Sequence, residues 1–277
     1  MDCSEKLTVA SFCTGYGGIE RGLGIAGIQH RVVVNVEIEA FAVALLVKAM
    51  AEGSMDSAPI WTDLKTFPSE SFCGKVDIIT AGYPCQPFSV AGNGLGEDDP
   101  RHLWPFILGH IQAIKPRWVF LENVRGHVKN GLREVLADLG EAGYRTDWGI
   151  FSAEEVGAPH RRERVFILAN SHSLRELQPK RCLEQSRGRA THSSKQLADS
   201  NGLRPQRLGE NCDQEGWERP VGLCDRTSRR SHWAVEPELG RVADGIKDRI
   251  DRLRILGNGV VPYTAALAWQ VPSEKLG

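Results

Sequence analysis

A chain of 277 residues can bury a full α/β core and leaves room for a smaller second unit. Its hydrophobic content of 41% and charged content of 25% are ordinary for a soluble globular protein, and a net charge of −1 exerts no global pull on nucleic acid. Seven cysteines without regular spacing argue against a disulfide framework and for a reducing compartment. With no leader pattern and no apolar run near ~18 residues, the expected location is cytoplasmic.

Leu7 to Phe12 reads as a first strand, followed at once by Thr14-Gly15-Tyr16-Gly17-Gly18 and an amphipathic helix from Ile19 to Ala26. Glycines at a strand-to-helix turn permit positive φ and let backbone amides approach a ligand. A second strand, Val32 to Glu37, ends in a carboxylate about 20 residues on, where a Rossmann-type unit accepts ribose hydroxyls. The acid there could equally serve a helix start. A helix over 40–51 returns the chain, and Asp63 stands where a third strand would end.

Val76 to Thr80 reads as a buried strand that breaks into Ala81-Gly82-Tyr83-Pro84-Cys85-Gln86-Pro87-Phe88-Ser89. Cys85, stiffened between Pro84 and Gln86 at the carboxyl end of that strand, is a candidate thiolate nucleophile; a small buried hydrophobe is the alternative. The Gly-, Asp- and Pro-rich stretch over 92–101 is expected to be a mobile active-site loop. A helix over 103–115, a strand Trp118 to Leu121 ending in Glu122-Asn123-Val124, and a helix over 128–139 follow. Strands near 145–151 and 165–169 bracket His160-Arg161-Arg162-Glu163-Arg164. This alternation predicts a doubly wound parallel sheet.

From 170 to 231 large apolar residues thin out and arginine, serine, glycine and asparagine take over. The stretch predicts an insert with its own small fold, or one that orders on a partner. Cys182, Cys212, Cys224, His192 and His232 lie near it without a Cys-x-x-Cys spacing, so no metal is expected. Order resumes at 252–262, with Gly257-Asn258-Gly259-Val260, and a final helix runs to about 270. The glycine turn, Glu37, Cys85 and Glu122 all leave carboxyl ends of strands, so a ligand and a reaction would meet on one rim.

Taken in order, Thr14 to Gly18, Pro84-Cys85-Gln86, Glu122-Asn123-Val124, Arg162-Glu163-Arg164 and Gly257-Asn258 resemble the cytosine-C5 DNA methyltransferase family. The resemblance covers most of 7–170 and 240–271, and the stretch between falls where that family carries its target-recognition domain. It implies a Rossmann-like S-adenosylmethionine-dependent methyltransferase sheet: a catalytic and cofactor-binding domain over 1–170, completed by 240–277, with a recognition insert over 171–239. It implies Cys85 as the nucleophile at cytosine C6 and Glu122 as the acid at N3. Arg162 and Arg164 would stabilise the carbonyl side of the base and a nearby phosphate or carboxylate. The target base would be flipped out of duplex DNA.

For S-adenosylmethionine the resemblance implies Cys13, Thr14, Gly15, Tyr16, Gly17, Gly18, Glu37, Ile38, Asp63, Leu64, Pro84, Leu103, Asn258 and Val260. For DNA it implies Gln86, Ser89 and His160. Basic residues of the insert would bind phosphates. A monomer is expected, with a cognate restriction endonuclease as a functional partner. This sequence departs from the family twice. Cys13 stands where an aromatic residue is usual, which leaves Ile38 or another residue to cover the adenine, and His160 replaces a glutamine. Competing readings are a tRNA cytosine-C5 methyltransferase and an inactive DNA-binding remnant.

Overall fold

The computed structural model describes residues 6–84, 103–171 and 257–276. Its centre is a seven-stranded sheet in the order β3-β2-β1-β4-β5-β7-β6. β1 spans Leu7–Phe12, β2 His30–Val36, β3 Ile60–Trp61, β4 Ile78–Gly82, β5 Trp118–Val124, β6 Arg145–Phe151 and β7 Arg164–Asn170. The helices are α1 (Gly18–Ile25), α2 (Ala40–Ala51), α3 (Trp104–Ile114), α4 (Leu132–Glu141) and α5 (Pro262–Leu276).

The central strands are apolar on both faces, as strands covered by helices on each side must be. On one face Phe12, Val34, Ile79 and Leu121 pack with Ile107 and Ile111 of α3 and Val135 and Leu139 of α4. On the other, Val9, Ile78 and Phe120 pack with Leu23 of α1 and Ala265, Ala268 and Trp269 of α5. The doubly wound layering expected from the alternation of elements is therefore present.

One strand departs from the all-parallel expectation. β7 runs antiparallel to both neighbours, with Val124 opposite Arg164 and Trp118 opposite Asn170 on the β5 side. The cause is the connection. Residues 152–163 hold only a 3-10 turn, Glu154–Val156, where a parallel crossover needs a helix. Ser152 and Glu155 cap that turn reciprocally: Ser152 N donates to Glu155 Oε2 at 2.9 Å, and Glu155 N donates to Ser152 Oγ at 3.3 Å. The reversal puts the first residue of β7, Arg164, at the same sheet edge as the last residues of β5.

Helix α5 is locked beneath the sheet by aromatic contacts. The Trp269 ring lies 5.5 Å from Trp118 and 5.3 Å, edge to face, from Phe120, which stacks on Phe166 at 5.5 Å. Against α1 the approach is closer than a side chain permits. A Cβ on Gly22 would sit 2.6 Å from Ala265 Cβ and 2.8 Å from Pro262 O. This packing carries the segment before α5, Gly257 to Val261, to the carboxyl rim of the sheet.

Gly22→Ala should therefore destabilise the fold by about 1–3 kcal/mol in urea denaturation, because the helix pair must separate. Gly24, in the same helix, has only His30 Cε1 near a built Cβ, at 3.8 Å. Gly24→Ala should be neutral or stabilising by up to about 1 kcal/mol.

Candidate active site at the carboxyl rim

A cavity of about 870 Å³ opens at this rim, a size suited to a drug- or cofactor-sized ligand. One wall is the turn after β1. Cys13, Gly15 and Gly17 there take positive φ (50°, 59° and 77°), which drives the chain sharply from strand into α1. The acid after β2 binds that turn directly. Gly15 N donates to Glu37 Oε2 at 2.7 Å, and Glu39 N donates to Glu37 Oε1 at 2.8 Å. The Gly17 amide donates to Thr14 O. The Gly15 amide is thus held by Glu37 and the Gly17 amide by Thr14 O. An ionised carboxylate has about four lone-pair sites, so Glu37 retains acceptor capacity toward the cavity it lines.

Asp63 and Leu64 form the next stretch of wall. Asp63 caps a 3-10 turn, accepting from Lys65 N at 2.9 Å. The buried ring of His110 sits behind it, its Nε2 donating to Leu64 O at 2.7 Å. Burial pushes the His110 pKa down, so the ring is neutral at neutral pH. Ile38, 74% exposed, and Phe41 of α2 complete this end. Sequence reasoning named Ile38 and missed Phe41, whose place at the start of α2 made it look like an ordinary apolar helix residue.

The other end of the same cavity is acidic and basic at once. Glu122, buried near the end of β5, lies with its Oε1 2.9 Å from Arg164 Nε. Burial raises its pKa to about 7, against the opposing pull of Arg164 and Arg162. Burial wins, and a large share of the carboxyl is protonated near neutrality. Gly82, paired with Glu122 across β4 and β5, leaves room beside this group: a built Cβ would lie 3.4 Å from Glu122 Oε2.

The end of β4 is held from three sides. Asn123 Nδ2 donates to Tyr83 O at 3.3 Å, the Tyr83 hydroxyl lies 3.2 Å from His127 Nε2, and the Tyr83 ring packs on Trp104 at 5.9 Å. His127 is fully buried, and burial lowers its pKa to about 4, which leaves it neutral. Pro84, next along and itself lining the cavity, is bonded to Cys85. Cys85, Gln86 and Ser89 lie outside the described residues, as does the proposed insert apart from Ser171. Cys13 also lines the cavity, but burial and the nearby Glu37 push its thiol up to about 12, so it is no thiolate.

The cavity brings together Cys13, Thr14, Gly15, Tyr16, Gly18, Glu37, Ile38, Asp63, Leu64, Pro84, Leu103, Glu122, Arg164, Asn258 and Val260. Three named residues stand apart from it. Gly17 is the N-cap of α1, turned so that a Cβ would meet Met55 Cε at 2.6 Å. His160 is exposed on the β6–β7 connection. Arg162 sends Nη2 to two carbonyls, Gly257 O at 2.6 Å and Gly259 O at 2.5 Å. Its φ of 33° is costly for a non-glycine residue, by about 1–2 kcal/mol. Between the two arginines Glu163 faces outward and pairs with Arg125 at 2.6 Å and Arg161 at 2.9 Å.

The raised pKa of Glu122 has a measurable sign. Folding favours its protonated form, so this stabilisation is full below the ordinary carboxyl range and fades as pH rises through about 7. Relative to Glu122→Gln, which does not titrate, the wild type should lose roughly 3 kcal/mol between about pH 4.5 and about pH 8. Paired urea titrations would show parallel pH profiles if the group were an ordinary surface acid.

The family model for C-5 cytosine-specific DNA methylases matches residues 7–231. Among curated proteins, the chain is 32% identical over 169 residues to the type II methyltransferase M.NaeI of Lentzea aerocolonigenes, covering 60% of this chain and 40% of that protein. It is 31% identical over 175 residues to the type II methyltransferase M.NgoMIV of Neisseria gonorrhoeae, covering 59% and 52%. The match thus spans about half the length of these relatives or less. The solved structure of S. pombe Dnmt2 methyltransferase superposes with a TM-score of 0.50 at 25% identity, covering 59% of this chain and 50% of that one. With most of its length matched by that model, the chain belongs to the C-5 cytosine-specific DNA methylase family.

Proposed function

We propose that this protein transfers a methyl group from S-adenosylmethionine to C5 of cytosine in a specific duplex DNA sequence. The observation that carries this reading is a single cavity with two chemically different ends. One is lined by the glycine turn, Glu37, Asp63 and Asn258; the other holds a buried carboxyl of pKa about 7 beside a guanidinium. The first end suits a nucleoside with an attached amino acid: a carboxylate for ribose hydroxyls, Asp63 for an exocyclic amine, and Ile38 and Phe41 as apolar covers for a purine ring. S-adenosylmethionine, when bound, supplies an electrophilic methyl group.

Cytosine C5 is a weak nucleophile until electron density is pushed into the ring. In this reading the Cys85 thiolate forms a bond to C6. Glu122, still carrying its proton, donates it at N3, so that negative charge does not accumulate on the base. Arg164 supplies fixed positive charge beside Glu122, toward the carbonyl side of the base. Once C5 has taken the methyl group, leaving S-adenosylhomocysteine, loss of the C5 proton to water would expel Cys85 as the thiolate, and N3 would return its proton to the Glu122 carboxylate. The buried base must leave the duplex to reach these groups, at a cost of a few kcal/mol. The insert over 171–239, with its surplus of arginine, is assigned to phosphate contact and base readout.

Labelled methyl should appear in duplex DNA and not in small RNA, and Cys85→Ala should abolish the transfer. On duplex DNA carrying 5-fluorocytosine the wild type should form a denaturation-resistant protein–DNA complex, because fluorine cannot leave as a proton does, and Cys85→Ala should form none. Methyl uptake by RNA alone would move the substrate, and turnover without Cys85 would refute the mechanism.

A further inference from the structure

The role of Arg162 in this structure is defined by carbonyl oxygens. Its Nη2 carries two N–H groups, and both are directed at the segment before α5, to Gly257 O and Gly259 O. A third carbonyl of that segment, Val260 O, accepts from the Tyr16 hydroxyl of the glycine turn. Gly18 lies so close to the same oxygen that a built Cβ would approach it to 2.6 Å. The Gly257–Val260 turn is therefore fastened at two points, by Arg162 from the β6–β7 connection and by Tyr16 from the glycine turn. Arg162 sits two residues before Arg164, the partner of Glu122, while Tyr16 belongs to the wall shared with Glu37. Between the fastenings, exposed Asn258 is presented to the cavity.

We propose that Arg162 and Tyr16 are positioning residues that jointly staple the Gly257–Val260 turn over the cavity, so that Asn258 and Val260 meet the cofactor, and that Arg162 acts through this turn rather than on the target base. This rests on the assignment of that end of the cavity to S-adenosylmethionine. It gives the two arginines of Arg162-Glu163-Arg164 separate work: Arg164 beside the acid and Arg162 on the cofactor's cover. The alternation of side chains around Glu163, which faces the exposed Arg125 and Arg161, makes such a division possible.

The two roles separate by order of binding. Affinity for S-adenosylmethionine is measured calorimetrically without DNA, and affinity for duplex DNA by anisotropy without cofactor at fixed salt. Arg162→Met should weaken cofactor binding about tenfold, the scale of losing charge-assisted hydrogen bonds, while DNA affinity stays within about twofold. Arg162→Lys, able to reach one carbonyl, should recover part of the loss. Tyr16→Phe should weaken cofactor binding as well, and the double variant should fall short of the product of the single effects, since both fasten one turn.

Hydrogen exchange on the unliganded protein supplies a readout independent of the cofactor. Amides of the 257–261 segment should exchange faster in Arg162→Met and in Tyr16→Phe. Unchanged exchange, or weakened DNA binding with intact cofactor binding, would overturn the staple. A wild-type protein that binds no S-adenosylmethionine would instead sink the assignment of the cavity, and the exchange experiment would still decide the staple.

Discussion

Two opposing electrostatic effects meet on one carboxyl group, and the site depends on which is larger. Taking Glu122 out of water disfavours its charge, while Arg164 at 2.9 Å and Arg162 beyond it favour that charge. Had the arginines prevailed, Glu122 would be an ordinary ion-paired carboxylate with no proton to give. Burial prevails by enough to bring the pKa to about 7. The group is then poised as an acid at neutral pH, and the adjacent guanidinium keeps its ionised form from being prohibitive once a proton is given away.

That balance requires a strand running the wrong way for a fully parallel sheet. Strand β5 delivers Glu122 to the carboxyl rim. Arg164 is the first residue of β7, so in a parallel β7 it would lie at the opposite rim, a strand's length from the acid. Reversing β7 places Arg164 across from Val124, two positions along from Glu122, with no extra element needed. The short connection over 152–163 both forces the reversal and carries Arg162 back toward the C-terminal segment. The topology thus shapes the site, because it sends two arginines close in sequence to different partners, Arg164 to Glu122 and Arg162 to the carbonyls of Gly257 and Gly259.

This explains which parts of the molecule were legible in the sequence. Strand positions were, because apolar runs bounded by Gly, Pro and acidic residues carry their own signal; β4 differs from its expected span by only two residues at each end, Ile78–Gly82 against 76–80. The shared rim of the glycine turn, Glu37 and Glu122 followed from the rule that such sheets bind ligands at their carboxyl ends. Strand direction was not legible, since periodicity is the same read either way. Nor were Phe41, His110 and the clamp of Asn123 and His127 on Tyr83, because each depends on a partner far away in the chain. Arg162 shows the limit most clearly. Its Arg-x-Arg is one of five ordered motifs that together carry the family resemblance, but the direction of its guanidinium depends on a positive φ and on carbonyls 95 and 97 residues away.

Those distant carbonyls couple the cavity to the packing of the last helix. The turn over 257–260 reaches the rim only because α5 is seated on α1 at Gly22 and under Trp118 and Phe120. Tyr16 and Val260, which meet across the cavity, are separated by 244 positions, so this contact forms at a high chain-entropy cost and only when both halves of the core are assembled. A ligand that touches both Gly15 and Asn258 binds the assembled form alone, and its binding free energy adds to the docking of α5 by mass action. On the proposed assignment of this cavity, cofactor binding and docking of the C-terminal segment would therefore stabilise each other.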